Sequence, residues 1–150
     1  MGNTKSIGVA YSDQDIDGGT IGATTPSTIV GTTVYATSEI GYSAAAQGTV
    51  TQATSKSTAV TLDKSAGRIT MNNASLATAT NATFTLNNSI IGANDAVILT
   101  ISGGQATPGS YNVFANSLTA GSVSITLRNI SGGSLSEAVV INFAIVHCTS

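Results

Sequence analysis

The stretch Ser122-Val123-Ser124-Ile125-Thr126-Leu127-Arg128-Asn129 decides the fold. Val123, Ile125 and Leu127 alternate with Ser124, Thr126 and Arg128. In a strand, successive side chains point to opposite faces, so this alternation gives one buried face and one wetter face. Ala120-Gly121 before it and Ser131-Gly132-Gly133-Ser134 after it are turn chemistry. The same period of two runs through Val97, Leu99 and Ile101, which alternate with Ile98, Thr100 and Ser102. The last apolar run differs. Val139, Val140, Ile141, Phe143, Ile145 and Val146 are apolar on both faces, which predicts a strand buried on both sides.

Extending the reading gives eight β-rich runs: 49–53, 59–62, 68–72, 82–86, 96–102, 111–116, 122–129 and 138–147. Between them lie Asp63-Lys64-Ser65-Ala66-Gly67, Ala93-Asn94-Asp95 and Ala106-Thr107-Pro108-Gly109-Ser110. Gly supplies positive φ, Pro presets φ, and Asn or Asp closes a local turn. There is no helical periodicity of useful length and no fixed-period repeat. The fold class predicted is all-β, an antiparallel β-sandwich or jelly roll, occupying residues 48–150. Residues 1–47 read differently. Gly2, Gly8, Gly18, Gly19, Gly22 and Pro26 interrupt an aperiodic, acidic stretch. We read 1–47 as an extended N-terminal arm ordered by contacts with neighbours. Val34 and Tyr35 suggest one short strand at 32–36, and the Ala triplet at 43–47 a turn or linker.

Composition narrows the function. Only 8% of the 150 residues are charged, against about 25% in an ordinary soluble domain. Hydroxyl, amide and glycine groups must cover the surface, and little charge keeps copies apart. Such a chain is expected to sit packed in an assembly. The net charge is −2, and the five Lys and Arg residues form no stripe. Phosphate neutralisation needs clustered cations, so nucleic acid is not an expected partner. The lone Cys148 permits no intrachain disulfide. No apolar run approaches the roughly 20 residues that span a bilayer, so no membrane is expected. The first residues lack the apolar centre of a signal peptide, which points to a chain made in a cytoplasm.

Motifs are few. Asp13, Asp15 and Asp17, followed by Gly18, match the opening of a calcium-binding loop. The twelfth position is Thr24, where a bidentate Glu belongs, and no flanking helices are evident. We read the segment as solvated acid, or as a partner for a neighbour's basic groups, with calcium the alternative. Met1-Gly2-Asn3-Thr4-Lys5-Ser6 fits the myristoylation pattern, which matters only where the transferase exists. Sequons at Asn73, Asn81, Asn87 and Asn129 are those of an Asn/Ser/Thr-rich chain, expected to stay unmodified. His147 and Cys148 are neighbours, expected on opposite faces of the last strand and so unable to share a metal. The other acids are Glu39, Asp63, Asp95 and Glu137, without a nucleophile, phosphate-loop or dinucleotide motif. The expectation is no enzyme, no cofactor and no metal.

Residues 48–144 resemble β-sandwich domains in virion proteins of tailed phages, including capsid decoration (cement) proteins and head fibres. The segments that carry this are Gly48-Thr49-Val50-Thr51-Gln52, Ser55-Lys56-Ser57-Thr58-Ala59-Val60-Thr61-Leu62 and Gly67-Arg68-Ile69-Thr70-Met71. Leu127-Arg128-Asn129-Ile130-Ser131-Gly132-Gly133-Ser134-Leu135-Ser136-Glu137 completes them. The resemblance implies a homotrimer on the capsid exterior, made in the host cytoplasm and bridging major capsid protein capsomers. It transfers no catalytic residue. The arm does not match that family. Its own apolar residues, Ile7, Val9, Tyr11, Ile16, Ile21, Ile29 and Val30, are the candidate capsid-binding anchors. Two rivals are a head- or tail-fibre module binding a host receptor or glycan, and an adhesin or pilin subunit. Tyr111 and Phe114, beside Pro108-Gly109, are the aromatics that come nearest to a receptor-binding tip.

Overall fold

The strand that opens the sequence reading is β7, Ser122–Asn129, and its alternation is realised in three dimensions. Val123, Ile125 and Leu127 have no exposed surface, whereas Arg128 is exposed. The computed structural model describes residues 33–148. Among them lie a short 3-10 turn, Ala44–Ala46, and eight strands. β1 is Gln47–Thr51, β2 Val60–Thr61, β3 Ala66–Thr70 and β4 Asn81–Asn87. β5 is Ala96–Gly103, β6 Tyr111–Thr119 and β8 Val140–Val146.

The strands form two four-stranded sheets, in the orders β1-β3-β8-β5 and β2-β4-β7-β6. Each turns one apolar face inward. From the first sheet come Ile69, Ile141, Phe143 and Ile145, and from the second Ala82, Phe84, Leu86, Val123, Ile125 and Leu127. The result is an all-β sandwich. Pairing is antiparallel except at β1–β3 and β2–β4, which run parallel and make both sheets mixed. Parallel neighbours need a crossover between them. Here the segment 52–59 passes from one sheet to the other.

Close packing at β1 and β3 depends on glycine. A Cβ at Gly67 would lie 2.7 Å from the Gly48 carbonyl oxygen and 2.8 Å from Leu62 Cδ2. Gly48 is similarly close to Leu62. The absent side chains leave room for Leu62 to cover the core on this flank.

Three expectations need correction. No strand forms at residues 33–36, and Val34 and Tyr35 are exposed, because β propensity without a pairing partner and a buried face forms no strand. The final strand is buried on one face only. Ile141, Phe143 and Ile145 are buried, Val140, Asn142 and Ala144 half-buried, and Val146 is exposed, because among the described residues no third layer covers the first sheet. Residues 44–46 do form a turn, but Gln47 already pairs in β1 with Ala66. The remaining expectations for the arm, over residues 1–32, lie outside the described residues.

Candidate functional site

The candidate capsid-binding anchors Ile7, Val9, Tyr11, Ile16, Ile21, Ile29 and Val30 lie outside the described residues, as do Asp13, Asp15 and Asp17. Among the described residues no group of three His, Cys, Asp or Glu side chains converges as metal ligands would.

One end of the sandwich holds a cluster of ionisable side chains that sequence reading left scattered. Lys56 is buried, and its Nζ donates to the Asn72 carbonyl at 2.6 Å and the Glu137 carbonyl at 2.5 Å. Burial pushes the Lys56 pKa below its ordinary value, and the nearby Glu137 carboxylate opposes that shift. Glu137 Oε1 accepts the Ala106 N–H at 2.6 Å. Its Oε2 is buried with no partner at hydrogen-bond distance, as are Tyr111 Oη and Gln105 Oε1. Burial, then the Glu137 carboxylate, pushes the Tyr111 hydroxyl up to about 12. The ammonium and the carboxylate tie four chain segments together at the sandwich end, those of Lys56, Asn72, Ala106 and Glu137. Every defined partner in this cluster is a structural backbone group.

Two further acids are fixed the same way. Asp63 Oδ1 accepts the Ser89 N–H at 2.7 Å, which holds its carboxyl below the ordinary range. Asp95 Oδ2 accepts the Gly92 N–H at 2.7 Å, the main reason its pKa is lowered. Asp95 also gathers the chain end. His147 Nδ1 lies 2.7 Å from Oδ2, and the Cys148 N–H donates to Oδ1 at 3.1 Å. This departs from the expectation for His147 and Cys148. β8 stops at Val146, so strand geometry no longer separates them, and both bind one carboxylate.

Buried amides complete the interior, and sequence reading missed them. Gln52 Nε2 donates to the Lys56 and Thr58 carbonyls. Asn88 Nδ2 donates to the Lys64 carbonyl, and its Oδ1 accepts the Ile90 N–H. Asn129 Nδ2 donates to the Leu76 and Gly133 carbonyls, and its Oδ1 accepts from Ser131. Asn129 has no exposed surface, so its sequon is closed to modification in the fold. An Asn next to a Gly/Ser turn was the available signal, since such side chains bond their own backbone.

With Lys56, Asp95 and Glu137 turned to internal partners, the outward faces carry little charge. The outer face of the first sheet presents Thr49, Thr51, Thr70, Thr100 and Asn142, mixed with Ala66, Ala96, Ile98, Val140 and Ala144, around a single charge, Arg68. A shallow depression of about 420 Å³ lies beside Arg68, bordered by Gln47, Thr49 and Asn142. The second sheet presents Thr83, Thr85, Ser124 and Asn116, with Arg128 at one end and Thr126 buried beneath its neighbours. There Thr83 Oγ1 and Thr126 Oγ1 lie 2.8 Å apart, and Thr126 donates to Asn116 Oδ1 at 3.1 Å. Phe114 stands beside Thr126 in register and is 43% exposed. Tyr111 is in the core, because it faces inward opposite Asn129, so it is no part of an aromatic tip. No family model, curated protein or solved structure matches this chain.

Proposed function

We propose that the chain is a non-enzymatic structural protein, a cement subunit that binds the outside of a tailed-phage head. In this role it stabilises contacts between capsomers of the major capsid protein. The observation that carries the reading is the low charge of the two outer faces, one Arg each, set among uncharged side chains: hydroxyls and amides on the second sheet, hydroxyls, amides and small or branched apolar groups on the first. Such faces cost little to desolvate per unit area compared with charged ones. They keep their attraction at high salt, where exposed ion pairs weaken. Among the described residues Lys56, Glu137 and Asp95 each bond backbone groups, an arrangement that suits a structural role. A pressurised shell fails where capsomers part. A rigid sandwich attached at several weak points across such a junction gains avidity from linked contacts.

The test is direct. Heads lacking the protein are heated with and without the purified full chain, and DNA release is followed. The expected result is release at a higher temperature once the chain is bound, with binding that persists in 1 M salt, where the Debye length is about 3 Å. Unchanged release with saturating chain would overturn the reading.

A second reading, a fibre module for a host glycan, rests on Phe114. It is a half-exposed ring in a row of hydroxyls and amides, the composition that stacks on and hydrogen-bonds a sugar. Glycan binding by the isolated chain that is lost in Phe114→Ala would favour it.

A further inference from the structure

The two flanks of the sandwich are built differently. On the β1–β2 side, Leu62 lies over Gly48 and Gly67, Lys64 Nζ donates to the Ala45 carbonyl at 2.8 Å, and the 52–58 segment is anchored by Gln52 and Lys56. The edge strands on this side are short, five residues in β1 and two in β2, against eight in β5. A short edge is a poorer template for another strand.

The β5–β6 flank has none of these devices. Among the described residues β5 is paired with β8 on one side only, which leaves the backbone groups on its other side without a strand partner there. Residues 96–101 keep a regular register with β8 before the irregularity between Ile101 and Gly103. That segment, Ala96-Val97-Ile98-Leu99-Thr100-Ile101, has no charge, no proline and high β propensity. Its inward residues Val97, Leu99 and Ile101 are only half-buried, unlike their fully buried counterparts in β7 and β8. The exposed large apolar side chains on strands are Ile98, Phe114 and Val146. Ile98 and Phe114 are on the flank strands, and Val146 pairs with Ala96.

We propose that this flank pairs with the same flank of a second copy of the chain, β5 running antiparallel to β5 about a twofold axis. An isologous contact of this kind needs a self-complementary surface, and an uncharged open edge is one. The charges at its end decide the direction. Asp95 and His147 sit at the start of β5. Antiparallel pairing centred on Leu99 keeps inward residues opposite inward residues and sets Asp95 against the Gly103 end of the partner strand, whereas parallel pairing would set Asp95 beside Asp95. Size is consistent with a stable pair. Six paired residues extend about 20 Å, and two sheet edges about 10 Å apart widen the strip to about 20 Å. With side chains, that is on the order of 500 Å² per copy, near the lower limit for a specific interface. A closed twofold pair differs from the homotrimer that the resemblance implies, and it forms with or without a capsid.

Light scattering on the size-exclusion peak gives the mass of the full chain in solution. The expected result is a dimer that becomes a monomer in the double variant Ile98→Lys, Thr100→Lys, with its far-ultraviolet spectrum retained. Thr49→Lys, on the outer face of the opposite edge, leaves the dimer intact. Should the double variant not fold, hydrogen exchange of the wild-type chain at two concentrations decides. Amides of 96–103 then slow at the higher concentration, and those of 47–51 do not. A monomer, a trimer, a dimer indifferent to both lysines, or β5 exchange independent of concentration would overturn the proposal.

Discussion

Lys56 shows how a single residue sets the character of this molecule. Its ammonium satisfies two carbonyls that lie far apart in sequence, Asn72 and Glu137. Lys56→Met keeps the buried stem and removes the donor, so it leaves both carbonyls without their partner. The expected loss of stability is about 1–3 kcal/mol, measured by urea unfolding, and Lys56→Ala should cost more because it also opens a cavity. Tyr111 makes the pH dependence visible. Its pKa is raised from its ordinary value near 10 to about 12 in the fold. The folded state therefore holds this proton when the unfolded chain has begun to release it. The stability this contributes is complete below pH 10 and is lost as pH rises towards 12. Tyr111→Phe should flatten that alkaline decline in thermal melts, and an identical decline in the variant would contradict the assignment.

At the scale of elements, backbone geometry sets the limits. Gly104 ends β5 with φ +78°, and a Cβ there would lie 2.0 Å from the Ala138 carbonyl oxygen. Gly104→Ala should destabilise by more than about 2 kcal/mol, since it combines an unfavourable φ with a backbone clash. Gly132→Ala meets nothing within 4 Å. It should be neutral or stabilising by up to about 1 kcal/mol, through the unfolded chain. Chemical denaturation of the two variants side by side checks the pair. The strands themselves were legible in the sequence because alternation in β5 and β7 and turn residues between runs report local geometry directly. Sheet partners were not. Nothing in Gly48-Thr49-Val50 or Val60-Thr61 tells that each runs parallel to its neighbour, because pairing between distant strands leaves no local signature. The last strand misled for a related reason. Asn142 interrupts an apolar run whose outer face is half-exposed, and only the number of layers decides whether both faces are covered. Of the interior polar sites, the Asn129 loop could have been read from its Ser/Gly neighbours. The meeting of Lys56 with Glu137 could not, since 81 positions separate them.

At the scale of the whole molecule, the described part is a sandwich with few charges, of which Lys56 is buried, and with one Arg on the outer face of each sheet. One flank is sealed by Leu62 and the 52–58 segment, and the other is left open along β5. We read these as surfaces made to lie against protein, with the flank for a second copy and a broad face for the capsid. Cryo-electron microscopy of purified heads, with and without the chain, locates that contact. The expected result is added density the size of the sandwich on the outer shell, over junctions between capsomers and seated through a sheet face. Heads with no added density, or density confined to the tail, would contradict it.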